Sequence, residues 1–243
     1  TLILIPSRMA ATRLQGKPLL KINNLSIISH VFKRAEEAKI GEVVVATEDQ
    51  KILEDVIKNG GRGILTSSNH KTGTDRIFEA YKKLEIKDVD YVLNLQGDEP
   101  NIDKNDIISL NNFMINNNSE IGTLAATIQD DKIANNKNVV KVITEKKLEE
   151  NNFPTALNFT RDNLSKNNSN IYHHIGIYSY KTSILEKFVS LAQTKNEIEN
   201  KLEQLRALDN KLKINVALAK SSPIGIDTEE DYLAIKKIME YKS

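Results

Sequence analysis

Between the first apolar run of the chain and its first amphipathic stretch lies Pro6-Ser7-Arg8-Met9-Ala10-Ala11-Thr12-Arg13-Leu14-Gln15-Gly16-Lys17-Pro18. Arg8, Arg13 and Lys17 place three cations within ten residues, and the segment holds no Asp or Glu to compete for them. Guanidinium forks and a flexible ammonium suit an anion with several oxygens, and Gly16 lets the main chain approach it closely. The glycine spacing excludes a P-loop of the GxxxxGK[ST] type. A solvated basic loop would have the same composition. Position favours polyphosphate binding, because the segment follows a strand and precedes a helix, where open α/β sheets take their ligands.

Asp98 stands in Asn94-Leu95-Gln96-Gly97-Asp98-Glu99-Pro100, at the end of another apolar run. A carboxylate at the C-terminal end of a parallel strand points into the ligand crevice. Magnesium carried by phosphates needs only one or two protein carboxylates, since water and phosphate fill the other positions. Asp227, in Gly225-Ile226-Asp227-Thr228, is the second candidate ligand, although Asp-Thr-Glu-Glu also reads as a helix N-terminus. Gln96 shares a strand face with Asp98 if the strand persists. Thr72, Gly73, Thr74 and Arg76 form a loop-to-helix entry whose small groups let a flat base lie against the main chain. His70, just before them, reads as a surface loop residue.

In the second half, His174 and Tyr178 are four apart on an expected strand, hence on one face, with Gly176 between them. They suit a carboxylate and hydroxyls, and equally suit a buried hydrogen-bonded pair. Arg161 follows a strand and is able to pair with a carboxylate through two parallel bonds. Glu203 and Gln204 fall on an expected helix over 197–208 with apolar positions Ile198, Leu202, Leu205 and Leu208. Such exposed side chains are ordinarily just solvated.

The elements that must position these residues follow from periodicity. Strands are expected at 2–5, 43–46, 64–65 and 91–95. Between them come a helix capped by Ser26 (apolar Ile27, Ile28, Val31, Phe32, Ala35, Ala38), one ending at Gly60-Gly61, and one from about Thr74. Alternating strands and helices indicate βαβ units and a parallel sheet. The second half offers short strands at 122–128, 139–144, 155–159 and 175–180, a mixed sheet or inserted β lobe. The polar run 163–170 reads as a loop, followed by helices at 183–192 and 197–208, a strand at 214–219 and a final helix. The whole is a single α/β domain, 1–243, with about 122–182 as a smaller lobe.

Composition bounds the rest. With 243 residues and 40% hydrophobic content the chain builds a sizeable core, filled by Ile, Leu and Val because aromatics are 5% and Trp is absent. A net charge of +1, from 34 basic and 33 acidic residues, argues against a nucleic-acid partner held by bulk electrostatics. The absence of Cys excludes disulfides, thiol catalysis and zinc-thiolate sites, and is compatible with a reducing cytoplasm. No apolar run approaches the roughly 18–20 residues that span a bilayer, and the opening TLILIP is unlike a secretory signal. The expected setting is cytoplasmic, without a membrane partner.

The segment 6–18 resembles the nucleotide loop of sugar-acid cytidylyltransferases, a pattern close to PAR-x-x-STRLPGKPL. The resemblance continues in His70-Lys71-Thr72-Gly73-Thr74-Asp75-Arg76, Asn94-Leu95-Gln96-Gly97-Asp98-Glu99-Pro100, His174-Ile175-Gly176-Ile177-Tyr178, Leu202-Glu203-Gln204-Leu205-Arg206 and Gly225-Ile226-Asp227-Thr228. Six motifs in order across nearly the whole chain are similar to the CMP-Kdo synthetase (3-deoxy-manno-octulosonate cytidylyltransferase) family. The resemblance implies a Rossmann-like nucleotidyltransferase fold and transfer of CMP from CTP to Kdo with release of pyrophosphate, for lipopolysaccharide synthesis. It implies catalytic roles for Arg8, Lys17 and Asp98, nucleotide contacts from Arg8, Arg13, Lys17, Thr72, Gly73, Thr74 and Arg76, and Mg2+ on Asp98 and Asp227. The sugar acid falls to Gln96, Arg161, His174, Tyr178, Glu203 and Gln204, and a homodimer is implied. Three positions depart from the pattern: Ala11 for Ser, Gln15 for Pro and Asn200 for Glu. They bear on substrate preference more than on the reaction.

Overall fold

The computed structural model describes residues 1–9, 13–128, 130–162, 170–223 and 225–240. Ala11 and most of the polar run 163–170 lie outside the described residues. The chain divides into two compact units, one formed by 1–107 with 223–243 and the other by 108–222.

In the first unit, strand β1 (Leu2–Ser7) leads to a 3-10 turn at Lys17–Leu19 and a short hairpin, β2 (Lys21–Ile22) and β3 (Leu25–Ser26). Helix α1 (Ile27–Glu37), strand β4 (Glu42–Thr47), helix α2 (Gln50–Lys58), strand β5 (Gly63–Leu65), helix α3 (Gly73–Leu84) and strand β6 (Tyr91–Asn94) follow. The strands lie in the order β6-β1-β4-β5, all parallel, with Leu2 opposite both Glu42 and Val92. Leu2, Ile3, Leu4 and Ile5 are fully buried, as a parallel strand covered on both faces requires. Each such side chain contributes about 1.5–3 kcal/mol of burial.

Helix starts follow capping chemistry. The Ser26 hydroxyl accepts from Ser29 N–H at 3.2 Å, and Asp49 accepts from Lys51 N–H at 2.8 Å. Helix α1 buries Ile27, Ile28, Val31, Phe32 and Ala35 on one face. Helix α2 ends at Asn59 before Gly60, whose φ of 85° is left-handed. Helix α4 (Lys104–Asn117) is not expected from the sequence, nor are the short hairpin at 21–26 and a short helix at 131–135. In α4, buried Ile107, Leu110 and Met114 keep helical spacing inside an Asn-rich run that resembles a loop.

The second unit holds strand β7 (Ile121–Ala126), helix α5 (Asp131–Asn135), strands β8 (Lys141–Thr144), β9 (Ala156–Thr160) and β10 (Ile171–Lys181), helices α6 (Thr182–Ser190), α7 (Lys195–Asn200) and α8 (Leu205–Asp209), and strand β11 (Ile214–Leu218). Its sheet is mixed: β11 is parallel to β7, while β10 is antiparallel to β7 and β8, and β8 to β9. The α/β class with its parallel sheet and mixed β region therefore stands, and segment 122–182 falls within this unit. Helix α9 (Glu229–Glu240) returns the chain to the first unit.

The single helix expected over 197–208 is two short ones. Lys201 adopts φ 53°, ending α7, and Leu205 restarts the helix as α8. The reason is polar. Glu197 closes a capping box with Thr194, and its buried carboxylate takes the Arg206 Nε at 2.9 Å and Nη2 at 2.5 Å, a pairing that folds the chain back. Ile198, assigned to the apolar face, is 58% exposed. Strand β10 also starts earlier than expected, and its register shifts between Ile175 and Tyr178, so Gly176 occupies an irregularity rather than regular strand.

Candidate active site

Strand β1 ends in Pro6-Ser7, and the loop beyond turns at Gly16, whose φ of 67° is left-handed and delivers Lys17 into the 3-10 turn. Strand β6 ends at Asn94 and releases Gln96, Gly97 and Asp98 at the same edge of the sheet. A Cβ on Gly97 would stand 2.9 Å from the Pro6 carbonyl oxygen, so only glycine allows the two strand ends to approach this closely. Asp227 arrives just before α9. Buried Ile226 packs with Ile22, Ile27 and Ile235, and Leu14 and Leu20 rest on the same cluster. One apolar plug thereby fixes both the lysine loop and the aspartate. Ile226 N–H donates to the Asp98 carbonyl at 3.0 Å, tying the two aspartate segments through the main chain. Asp231 steadies the turn, its carboxylate accepting from Asp227 N–H at 3.1 Å and Thr228 N–H at 2.8 Å.

These segments enclose a cavity of about 330 Å³. Arg8, Arg13, Lys17, Lys71 and Arg76 line it against two carboxylates, Asp98 and Asp227, with Thr72, Gly73 and Gln96. The Lys17 ammonium donates to Asp98 Oδ2 at 2.8 Å, to the Ile226 carbonyl at 2.6 Å and to Asp227 Oδ1 at 3.4 Å. Arg13 donates to Asp227 Oδ2 at 3.0 Å. Thr72 caps α3, accepting from Asp75 N–H at 3.1 Å, so the positive end of that helix opens on the cavity. Arg76 is buried, paired with Glu48 at 2.5 Å and donating to Thr66 Oγ1 at 2.7 Å; burial lowers its pKa, partly offset by the Glu48 charge. Beside Asp98, Glu99 is buried with its Oε2 unpartnered among the described residues. Burial, then the Asp98 charge, pushes its carboxyl up to about 8. Around neutral pH this favours the protonated form of Glu99.

Nine of the ten first-unit candidates named from sequence line this cavity; Thr74 is buried in the first turn of α3 and does not. Ser7, His70 and Lys71 line it as well. From the motif alone His70 reads as a surface residue, because its partner Glu79 stands nine residues away on α3. The Ser7 hydroxyl is buried and unpartnered among the described residues.

Of the second-unit candidates, His174 and Tyr178 lie in one ring cluster. The rings of Phe159, His174, Tyr178, Tyr180 and Phe188 follow one another at centroid spacings of 5.0, 5.4, 5.9 and 5.8 Å. The His174–Tyr178 contact bears out the shared face. Thr123 Oγ1 donates to the Ile177 carbonyl at 2.7 Å, so it accepts from His174 Nε2, 3.0 Å away. Burial, with His173 and Arg161 nearby, lowers the His174 pKa to about 3, and the imidazole is neutral. Burial, then Tyr180 and Glu203, raises the Tyr178 phenol well above its ordinary value. Arg161 follows β9 and donates to the Asn138 carbonyl at 2.7 Å, while its own carbonyl accepts from buried Lys141 at 3.3 Å. Glu203 lies 3.6 Å from Arg206, and Gln204 sits at the N-cap of α8. Asn200 turns onto its own helix, donating to the Asn196 carbonyl at 2.9 Å.

A cation-rich cavity at the C-terminal edge of a parallel sheet, closed by two aspartates and a helix N-terminus, defines a nucleotide-handling α/β enzyme. The cytidylyltransferase family model matches residues 2–214. The 3-deoxy-manno-octulosonate cytidylyltransferase of Rhodopseudomonas palustris (strain BisB18) is 42% identical over 99% of this chain and 98% of its own length. That of Thermodesulfovibrio yellowstonii is 44% identical, with 98% of each chain covered. A solved structure of CMP:2-keto-3-deoxy-manno-octonic acid synthetase complexed with CTP superposes with a TM-score of 0.90 at 32% identity, covering 100% of this chain and 99% of that one. The chain belongs to the 3-deoxy-manno-octulosonate cytidylyltransferase family.

Proposed function

We propose that the chain transfers CMP from CTP to 3-deoxy-D-manno-octulosonate, releasing pyrophosphate and forming CMP-Kdo for lipopolysaccharide synthesis. The observation that carries this is the convergence of Lys17 on Asp98 and Asp227 in a cavity lined by four further cations. The sugar's anomeric hydroxyl attacks the α-phosphorus through its oxygen and loses its proton to water, a new C–O–P bridge forms, and the bond to the β-phosphate breaks with its electron pair leaving on pyrophosphate. Such transfer depends on positioning and charge neutralisation rather than on a covalent nucleophile.

Arg8, Arg13 and Lys17 bind the triphosphate, and Arg8 and Lys17 stabilise the charge that builds on the leaving pyrophosphate. Thr72, Gly73 and Arg76 form the nucleoside side of the site, with Thr74 buried behind them in the first turn of α3. The sugar-acid candidates of the second unit are Arg161, His174, Tyr178, Glu203 and Gln204; there His174, being neutral, serves as a hydrogen-bond partner and leaves a carboxylate to Arg161. Asp98 and Asp227 fit Mg2+: both reach one cation, the Lys17 ammonium, and two hard oxygen donors leave room for water and phosphate. When bound there, Mg2+ would neutralise α-phosphate charge and lower the pKa of the sugar hydroxyl. The segment 122–182 is assigned to sugar binding and to contacts in a homodimer, with the cytoplasm as its setting. Among the described residues no helix is long and apolar enough to cross a membrane.

The test is a pyrophosphate-release assay crossing CTP and UTP with Kdo, 8-amino-Kdo and a nonulosonic acid, with and without Mg2+. Release confined to CTP, Kdo and Mg2+ is expected. Equal or faster release with another sugar acid would reassign the acceptor, and nucleotide binding without release would make the chain a sensor.

A further inference from the structure

The wall of the cavity at His70–Gly73 is made by a loop, residues 66–72, that joins β5 to α3, and by the first residue of that helix. A loop of this length wanders unless its middle is tied down, and entropy lost on ordering it at ligand binding weakens affinity. Here α3 reaches back over the loop. Arg76 Nη1 donates to Thr66 Oγ1 at 2.7 Å and to the Ser67 carbonyl at 3.3 Å. One helical turn later, Glu79 takes the other side of the same residue: Ser67 N–H donates to its two oxygens at 3.0 and 3.2 Å. Glu79 Oε2 also meets His70 Nε2, and Lys83 closes on Oε1 at 2.6 Å.

We infer that Glu79 is a positioning residue for nucleotide recognition, clamping Ser67 and His70 and thereby setting the His70–Gly73 wall of the cavity. It touches no substrate and acts through the loop. Contact with a carboxylate requires that His70 Nε2 carry its proton, so Glu79 fixes both the ring's tautomer and its orientation toward the cavity. Burial alone would raise the Glu79 carboxyl. Donation from Lys83, Ser67 and His70 outweighs it and holds the group at about 2, so the clamp stays charged across the physiological range.

The inference rests on the nucleotide reading of the cavity, and the experiment separates the two. Steady-state kinetics with CTP and Kdo are measured for wild type, Glu79→Gln, Glu79→Ala, His70→Ala and the Glu79→Ala/His70→Ala pair. Glu79→Ala is expected to raise KM for CTP about tenfold, with kcat within threefold and KM for Kdo unchanged. Glu79→Gln, which keeps an acceptor for Ser67 N–H, recovers part of the loss. Because Glu79 acts through His70, the double variant is expected to be little worse than the worse single one. A CTP KM within twofold of wild type in Glu79→Ala, or losses in kcat and thermal midpoint with KM unmoved, overturns the inference. If Glu79→Ala does not fold, Glu79→Gln decides on the same KM criterion. An inactive wild type would overturn the nucleotide reading instead.

Discussion

Replacing Lys17 by Met removes the ammonium that joins the two aspartates and leaves a side chain of similar length. Its stability cost is small. The side chains of Lys17 and Asp98 are 14% and 30% exposed, and losing this half-shielded pair, with water able to reach the aspartate left behind, should cost no more than about 1–2 kcal/mol, or roughly 2–8 °C in thermal midpoint. The cost to turnover is larger, because a charge-assisted hydrogen bond to a polyphosphate is worth about 1.5–3 kcal/mol in a site shielded from water. That converts to a loss of roughly 10- to 150-fold in kcat/KM for CTP. The carboxylates left behind repel phosphate and push toward the upper end, while Arg13 still holds Asp227 at 3.0 Å. Lys17→Arg should recover part of the activity through its charge, without the compact ammonium that reaches three acceptors. Pyrophosphate release at varied CTP, beside a thermal melt, reads both quantities. A kcat/KM within threefold of wild type, or an activity loss matched by collapse of the fold, refutes the assignment.

Arg206→Ala should destabilise the protein by about 3–5 kcal/mol in urea unfolding, because it strands the buried Glu197 carboxylate. It also removes the guanidinium 4.7 Å from the Phe188 ring. A loss under about 1 kcal/mol would contradict the pairing. His174 gives a pH signature. Its folded pKa of about 3 lies below the ordinary 6.5, so the unfolded chain takes up a proton that the folded one refuses. The stability His174 contributes is complete above pH 6.5 and is lost as pH falls toward 3, amounting to about 2 kcal/mol by pH 5. The difference in unfolding free energy between wild type and His174→Asn should shrink by that amount from pH 7 to 5; a pH-independent difference would refute the neutral buried imidazole.

Much of the first unit was legible because its signals are local. Ser26 caps α1, Gly60 ends α2, and the unbroken apolar run Leu2 to Ile5 is a fully buried strand. The lysine loop and Asp98 were legible for the same reason, standing at strand ends where a parallel sheet must present its ligands. What escaped the sequence depends on pairing at a distance. The break at Lys201 follows from Glu197 meeting Arg206, and α4 hides its Ile107, Leu110 and Met114 face among asparagines. His70 looked idle without Glu79, and His174 was ambiguous until burial and Thr123 made it neutral.

Nucleotidyl transfer at the cavity shared by Lys17, Asp98 and Asp227 is tested by the yield of CMP-linked sugar acid from CTP and Kdo with Mg2+, compared between wild type and Asp98→Asn by phosphorus NMR. Wild type should give a phosphodiester product and equimolar pyrophosphate, and a folded Asp98→Asn no turnover. Near-normal product formation by Asp98→Asn would contradict it.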